Sequence, residues 1–393
     1  MAQDAAVLQT VREALENTSV VMPGHRFSLY LPFWIAQKDH KNRWEKAPDL
    51  KEDEGAKLKA LRSVVDDARQ DVVRKLIDKL RARQNALAQR AGAEMIEAQS
   101  LSPFVTGMGE EHAVENGFAF LSPYGLPYLA GSGVKGVIRR AAEELAEMGD
   151  HGWSFARVAW LFGYEDNAYV VRLDEERENG SREAQALFEL LNGKNAVSFD
   201  DLSDADKHLA GALSFWDVII DGALGVDILT PHYGEYYQGK EPPHDAGQPQ
   251  PNPFLVVAPG ARFTFHVTCA EHRSLPETIK NEWRSLIRAA FDHAFEWGGF
   301  GAKTAVGYGV LATDDMIKTL KEEAASRKPL DDGDKVEIID HAQKKFIGRK
   351  GEIIKILDNP VTEEKVAQLR AIDGGGKLKG LFPLTNLKLI TDE

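Results

Sequence analysis

Two glycine-rich segments of the sequence each carry one lysine, and this combination suits the binding of phosphate groups. The first glycine segment reads Gly131-Ser-Gly-Val-Lys-Gly136, and the second is "WGGFGAKTAVGY" at residues 297–308. Glycines let the backbone approach a ligand closely and leave N–H groups accessible, while lysine adds a positive charge. Lys135 also lies at the entrance to a predicted helix, where the helix dipole favours an anion. The sequence therefore indicates phosphate binding by two separate segments.

Neither segment meets all the requirements of a nucleotide-binding motif. The first matches G-x-G-x-x-G, but the preceding "SPYGLPYLA" has few β-branched residues and no strand follows the helix, as a dinucleotide-binding turn requires. The second contains Lys303-Thr304 but has Ala302 and Trp297 where a P-loop needs glycine. The simpler alternative, that both segments are tight turns with solvated lysines, stays open.

Hydrophobic periodicity places both segments in an α+β fold. Helices are predicted over residues 134–147 and 279–295, and the second has its apolar residues on one face. An extended segment with turns is predicted at 104–128, before the first helix, and alternating residues predict strands at 211–220, 261–269 and 307–313. The middle of the chain thus reads strand, helix, strand, strand, helix, strand, which is the split βαβ order of a ferredoxin-like (RRM-like) core. Two such segments at one sheet edge suit a sugar-phosphate backbone better than a single mononucleotide.

Composition predicts two domains. The first spans residues 1–320 and includes a helical insertion at about 55–98, because residues 56–91 lack Gly and Pro and repeat apolar side chains at helical spacing. Residues 321–330 read as a polar linker. Residues 331–393 predict a small all-β domain, an SH3-like barrel, from alternating strands separated by glycine turns.

Charge and cysteine content limit the classes of function. The chain has 393 residues and a formal net charge of −13, which weighs against a free-standing, non-specific nucleic-acid binder but allows a local basic groove. Cys269 is the single cysteine, so no disulfide forms within the chain. The first residues have neither a basic region nor an apolar stretch, so no signal peptide is expected, and no apolar run of about 18 residues occurs. We therefore expect a cytoplasmic protein with no membrane contact.

Three stretches resemble the RAMP superfamily, the repeat-associated proteins of CRISPR systems. "GLPYLAGSGVKGVIR" resembles the Pro-Gly-Ser-Ser-x-Lys-Gly-x-x-Arg motif of that superfamily, with Ala130 and Gly133 departing from the usual Pro and Ser. "GGFGAKTAVGYG" resembles its C-terminal glycine-rich loop. "DILTPHYGEYYQGKEPPHD" is similar to the subgroup that forms the sixth RAMP subunit of type III-B (Cmr) effector complexes.

The resemblance implies a non-catalytic subunit of an antiviral CRISPR–Cas ribonucleoprotein, located near the 3′ end of the CRISPR RNA (crRNA) and supporting interference with target RNA. It implies these partners: crRNA, target RNA in the assembled complex, other RAMP backbone subunits and the small helical subunit. It also implies an RNA-binding set: Gly131, Ser132, Lys135, Gly136, Arg139, Gly299, Gly301, Lys303 and Thr304.

Arg139 of that set and three tyrosines outside it each have two possible roles. Arg139 either contacts RNA or forms an ion pair with a residue of its own helix. Three tyrosines of the long loop either stack on bases or pack on a neighbouring subunit: Tyr233, Tyr236 and Tyr237.

The sequence predicts no cofactor, no metal site and no catalytic residues. His232 and His244 lie in a proline-rich loop without the spacing of metal ligands. The alternative function is a RAMP-fold endoribonuclease that processes repeat RNA. For that activity His25 is the nearest candidate for a general base.

Overall fold

The computed structural model describes residues 4–18, 20–37, 40–47, 55–164, 169–191, 196–202, 208–230, 251–270, 275–326, 335–338, 350–358, 365–372, 378 and 382–389. The chain divides into two compact units, an N-terminal unit (Met1–Met316) and a C-terminal unit (Ile317–Glu393). No helix among the described residues is long and apolar enough to cross a membrane.

The described helices are α1 (Gln9–Glu16), α2 (Pro23–Leu29), α3 (Ala56–Ala68), α4 (Asp71–Arg90), α5 (Gly131–Met148), α6 (Phe155–Phe162), α7 (Val170–Glu178), α8 (Arg182–Leu190), α9 (Glu277–Trp297) and α10 (Asp314–Ser326). The strands of the N-terminal unit are β1 (Trp34–Gln37), β2 (His40–Lys46), β3 (Glu94–Ser100), β4 (Phe120–Leu121), β5 (Leu126–Leu129), β6 (Gly163–Tyr164), β7 (Leu209–Ala210), β8 (Leu213–Phe215), β9 (Val218–Ile219), β10 (Leu224–Leu229), β11 (Asn252–Val257), β12 (Arg262–Cys269) and β13 (Leu311–Ala312). Those of the C-terminal unit are β14 (Lys335–Ile338), β15 (Lys350–Asp358), β16 (Lys365–Ala371), β17 (Phe382–Pro383) and β18 (Leu387–Leu389).

A four-stranded antiparallel sheet lies at the centre of the N-terminal unit, with the strand order β13-β3-β12-β8. Helix α5 lies in the connection from β3 to β8, and helix α9 joins β12 to β13. Taken in chain order as first to fourth, the strands therefore stand 4-1-3-2 across the sheet.

One face of this sheet is aromatic and packs against α9. On β12 the Phe265 ring centroid lies 5.0 Å from that of Phe291 and 5.2 Å from that of Phe300. The predicted helix 279–295 is confirmed within α9, which begins after Pro276 and ends before Gly298. Because α9 also packs against α5, both helices that flank the glycine segments lie side by side.

The opposite face of the sheet is polar and carries α4. Side chains of a strand alternate between faces, so Thr264 and His266 of β12 face away from α9. Arg81 Nη2 donates to Thr264 Oγ1 at 3.1 Å, and His266 Nε2 lies 2.9 Å from Asn85 Oδ1. Helix α4 is thus attached to the sheet by side-chain hydrogen bonds.

The predicted helical insertion ends earlier than expected. Residues 56–68 and 71–90 form two helices, α3 and α4, but residues 94–100 form β3, a central strand that pairs with both β12 and β13. The alternation of this strand, with Ile96 and Ala98 buried, distinguishes it from the helical pattern before it.

The C-terminal unit has its own five-stranded antiparallel sheet, ordered β17-β16-β15-β14-β18. Its core is formed by Val336, Ile338, Ile353, Leu369 and Phe382, together with three further buried residues. Among the described residues the outer strands β17 and β18 do not pair with each other, so a half-barrel sheet stands where a closed SH3-like barrel was expected. The first part of the expected linker, up to Ser326, is helical and belongs to α10.

Candidate nucleic-acid interface

The first glycine segment is the beginning of helix α5 and not a loop before it. The helix starts at Gly131, whose N–H donates to Asp217 Oδ1 at 2.7 Å. A Cβ atom at this position would lie 2.2 Å from the carbonyl oxygen of Phe215, so glycine lets the helix pack against the end of β8. The carboxylate of Asp217 occupies the position where a phosphate would accept from the first helical amide.

The two cations of this segment have different surroundings. Burial and, to a lesser degree, the charge of Arg139 lower the pKa of Lys135. Arg139 Nε donates to Glu143 Oε1 at 2.9 Å, and its Nη2 donates to the hydroxyl of Tyr169 at 3.0 Å. Arg139 therefore makes the ion pair on its own helix that its sequence position allowed.

The second glycine segment is a loop held firmly to the sheet. Phe300 N–H donates to Gly309 O at 2.9 Å, Gly309 N–H donates to Pro103 O at 2.8 Å, and Ala302 N–H donates to Val105 O at 2.7 Å. Lys303 has a left-handed backbone, with φ 62°, and leads into a short 3₁₀ turn at Thr304–Val306. These bonds fix the shape of the loop.

The outer part of this loop presents unbonded amides. Within the described residues, five N–H groups of the segment donate no hydrogen bond: those of Gly299, Gly301, Lys303, Thr304 and Ala305. Successive free amides in a turn that includes a left-handed residue form an anion-binding concavity. The loop is therefore equipped to bind a phosphate through its backbone.

The side chain of Lys303 rests on two aromatic rings. Its Nζ lies 5.5 Å from the ring centroid of Phe254 and 5.8 Å from that of Tyr308. The Tyr308 hydroxyl donates to Asp227 Oδ2 at 2.7 Å, and burial together with this bond raises the pKa of Tyr308 to about 12. The two rings thus support the ammonium group of Lys303.

Both glycine segments reach one groove between α5 and α9, with a volume of about 490 Å³. Of the predicted site residues, the groove lining contains Gly136, Gly299 and Thr304. Six others are not part of that lining: Gly131, Ser132, Lys135, Arg139, Gly301 and Lys303. The fold thus brings the two segments together while placing most of the predicted residues around the groove and not in it.

Two residues that sequence reasoning missed line the groove. Arg140, 69% exposed in its side chain, takes the place expected for Arg139. Trp297, 73% exposed, stands at the end of α9 just before the second loop. A signal for Arg140 was present, because it lies four residues after Gly136 and so shares a helix face with it. Trp297 was missed because the predicted helix ended at residue 295 and Trp297 was read as the first residue of the second glycine segment.

A hydrogen-bonded network spans the groove from α5 to α9. Arg140 Nε donates to Glu144 Oε1 at 2.8 Å, and His293 Nε2 lies 3.0 Å from Glu144 Oε2. The bond to His293, followed by that to Arg140, holds the pKa of Glu144 below its ordinary value although burial opposes this shift. The network fixes the guanidinium of Arg140 at the loop end of the groove.

Past Trp297 the groove continues into a second cavity of about 760 Å³ with acidic lining. Asp150, Asp292 and Glu296 lie here, with Arg288 and His151 among them. Carboxylates repel a polyanion. The loop end, with Arg140 and the free amides, is therefore the part suited to phosphates.

Several predicted residues lie elsewhere. The tyrosines at 233, 236 and 237 and the histidines at 232 and 244 are outside the described residues. His25 Nε2 lies 2.9 Å from the carbonyl oxygen of Pro123, and His25 does not line the groove. In the part of the chain that the structure describes, no group of three or more His, Cys, Asp or Glu could hold a metal ion.

The fold and the site together define a protein of mixed sheet and helix, in which two glycine-rich segments meet at a groove between two helices packed side by side. The chain belongs to the RAMP superfamily, whose family model matches residues 97–312. The matched range contains both helices, both glycine segments and the central sheet from Glu97 of β3 onwards.

Relatives of the chain are CRISPR proteins. It is 31% identical over 229 residues to the "CRISPR system Cmr subunit Cmr6" of Pyrococcus furiosus, covering 53% of this chain and 65% of that protein. The chain thus spans slightly less than two thirds of that relative's length. Among solved structures, a Type III-B Cmr-beta complex bound to cognate target RNA matches with 19% identity and a TM-score of 0.36, covering 64% of this chain and 70% of that one. Cmr6 from Pyrococcus furiosus matches with 27% identity and a TM-score of 0.28, covering 56% and 97%.

Proposed function

We propose that this protein is a non-catalytic, crRNA-binding backbone subunit of a type III-B CRISPR effector ribonucleoprotein, placed near the crRNA 3′ end. Membership of the RAMP superfamily and the similarity to a Cmr6 subunit support this assignment. Its proposed partners are crRNA, the target RNA of the assembled complex, other RAMP backbone subunits and the small helical subunit. The proposed role is support of antiviral interference with target RNA in the cytoplasm.

The observation that carries the proposal is the convergence of the two glycine segments on one groove. Gly136 and Arg140 of α5 face Gly299 and Thr304 of the second loop across it. The free amides of that loop and the ammonium of its Lys303 supply donors and positive charge without selecting a base. Such a site fits a sugar-phosphate backbone of any sequence.

We also infer that the central sheet is a ferredoxin-like core. Its support is the strand order 4-1-3-2 with all pairs antiparallel, with α5 to α8 in the connection from the first strand to the second and α9 in the connection from the third to the fourth. In this arrangement the starts of α5 and of the second glycine loop lie on the helical side of one sheet.

The test is a salt titration of RNA binding by the full chain with Lys135→Ala and Lys303→Ala variants. If each lysine contacts a phosphate, both variants bind single-stranded RNA more weakly, and the slope of log affinity against log salt flattens by about 0.7 for each lost contact. An Arg182→Ala variant, which removes an exposed cation of α8, should keep the parent slope. Unchanged slopes in both lysine variants would contradict the groove assignment.

A cleavage assay distinguishes the proposed function from the alternative, a repeat-processing endoribonuclease. His25 is engaged with a backbone carbonyl outside the groove, which favours the non-catalytic assignment. Repeat RNA incubated with the purified protein, with and without divalent metal, should therefore remain intact on a denaturing gel. A discrete product that disappears in a His25→Ala variant would establish the alternative.

Gly136 gives a second test, in which stability and binding change in opposite directions. Nothing lies within 4 Å of a Cβ built at Gly136, so Gly136→Ala should raise the free energy of unfolding by roughly 0.5–1 kcal/mol, as expected for alanine in a helix. The added methyl group occupies the groove, so we expect RNA affinity to fall by about fivefold, equivalent to about 1 kcal/mol.

Gly133→Ala is the matched control in the same helix. A Cβ there would meet only Leu129 Cδ1 at an ordinary 3.5 Å, and Gly133 does not line the groove. We expect similar stabilisation with unchanged RNA affinity, measured by urea unfolding and by anisotropy of labelled RNA. Equal affinities for the two variants would show that RNA does not approach Gly136.

A further inference from the structure

Helix α4 carries a concentration of positive charge in an acidic protein. Its sequence, "DVVRKLIDKLRARQNALAQR", contains six Lys or Arg residues and two Asp residues, whereas the whole chain has a formal charge of −13. The helix precedes the residues matched by the RAMP family model, 97–312. Its charge is therefore a property of the inserted segment.

Four of these cations form one exposed row, here named the basic stripe: Lys75, Lys79, Arg83 and Arg90. Lys75, Lys79 and Arg83 follow each other at four-residue intervals, so neighbouring side chains are about 6 Å apart along the helix. The row extends over about 22 Å from Lys75 to Arg90. Among the described residues none of the four makes an ion pair, in contrast to Arg81, which pairs with Asp221.

The contacts of the opposite face fix the direction of the basic stripe. Val73 and Ile77 are buried against Leu126 and Ile219. Further along, Gln84 Nε2 donates to the carbonyl oxygen of Asp217 at 2.6 Å, in addition to the bonds of Arg81 and Asn85 described above. Since these residues lie on the opposite side of the helix from Lys75, Lys79 and Arg83, the stripe faces solvent.

We propose that the basic stripe binds the phosphate backbone of single-stranded RNA, as a second RNA-binding surface separate from the groove. Four unpaired cations in a row attract a polyanion, and in a chain of net negative charge such a local surface is needed for RNA to approach this side. The stripe has no aromatic residue for base stacking, so it binds without sequence preference.

The composition of the face favours RNA over an acidic protein partner. A stable protein interface has an apolar core with a polar rim. The exposed residues between and beside the stripe cations include alanines at 82 and 86 and two larger apolar side chains, Val72 (46% exposed) and Leu87 (47% exposed). Val72 and Leu87 lie about 22 Å apart along the helix, so they form no contiguous apolar patch. This face has the charge of a phosphate-binding surface without the apolar centre of a protein interface.

The experiment compares two quadruple variants of the full chain with equal change in charge. K75Q/K79Q/R83Q/R90Q removes the stripe, whereas R172Q/R182Q/K318Q/K321Q removes four exposed cations from α7, α8 and α10. The probe is a labelled oligouridylate, titrated between about 50 and 200 mM salt. We expect the stripe variant to lose at least tenfold in affinity, and its salt slope to flatten by about 0.7 for each lost contact, or roughly 2–3 in total. The control should stay within about twofold of the parent protein.

Three outcomes would overturn the proposal. Equal losses in both variants would mean a general effect of net charge. If the stripe variant bound RNA normally while Lys303→Ala bound RNA more weakly, the stripe proposal would be disproved and the groove function would stand. Retained RNA binding with loss of binding to polyglutamate would identify the partner as an acidic protein. If instead the stripe variant loses RNA and Lys303→Ala does not, the stripe stands and the groove function fails.

Discussion

Replacing Gly309 with alanine is expected to destabilise the N-terminal unit by about 3–4 kcal/mol. Gly309 has φ 70°, and a Cβ atom there would lie 1.9 Å from the carbonyl oxygen of Phe300. That carbonyl belongs to a residue whose own N–H donates to Gly309 O, and Phe300 is fully buried against Phe265 and Phe295. Neither partner has room to move, so both the left-handed conformation and the steric clash contribute to the cost. The measurement is the free energy of unfolding in urea.

Gly307→Ala is the control for this prediction. Gly307 also has a positive φ, 91°, but nothing lies within 4 Å of a Cβ at that position. Its replacement should cost only the left-handed conformation, about 1–2 kcal/mol. If Gly309→Ala cost no more than Gly307→Ala, the close packing of the second loop on Phe300 would be disproved.

Replacing Trp297 with alanine is expected to weaken RNA binding by about 1–3 kcal/mol, which is roughly fivefold to more than 100-fold in Kd. The side chain is 73% exposed and stands where the groove meets the second glycine loop. An exposed indole beside free amides can stack on a base whose phosphate those amides bind. The free energy of unfolding should hardly change, because little of the indole is buried.

Two further variants test whether Trp297 stacks on a base or only makes a nonspecific apolar contact with RNA. Trp297→Phe keeps an aromatic face and should retain most of the affinity, while Val306→Ala removes an apolar side chain of similar exposure, 68%, from the same loop and should have no effect. Kd values for labelled single-stranded RNA provide the measurement. A Trp297→Ala protein that binds as tightly as the parent would exclude a stacking role.

Helices and loops that are determined by the pattern of neighbouring residues could be predicted from the sequence. The apolar face of α9 repeats at helical spacing, and the helix runs from Glu277 to Trp297, two residues beyond the predicted ends on each side. The second glycine segment was expected to be a loop and is one. The two glycine segments, with a helix after the first and a helix before the second, could likewise be read from spacing.

Features that depend on contacts between residues far apart in the chain could not be predicted from local sequence patterns. The first glycine segment is helical from Gly131 because Asp217, far along the chain, accepts from its N–H. Whether Arg139 or Arg140 reaches the groove depends on a rotation of about 100° around the helix, which only the packing of α5 against α9 decides. β3 was read as part of the helical insertion because its role is defined by pairing with β12 and β13.

The division of the chain into two units has a spectroscopic consequence. All seven tryptophans and all nine tyrosines precede residue 317, so the C-terminal unit has neither. Intrinsic fluorescence therefore reports unfolding of the N-terminal unit alone, whereas far-ultraviolet circular dichroism reports both units. Because each unit has a core of its own, two separate cooperative transitions are expected, and one sample observed by both methods resolves them without dissection of the chain. A substitution in the second glycine loop should shift the fluorescence transition and leave the other transition in place.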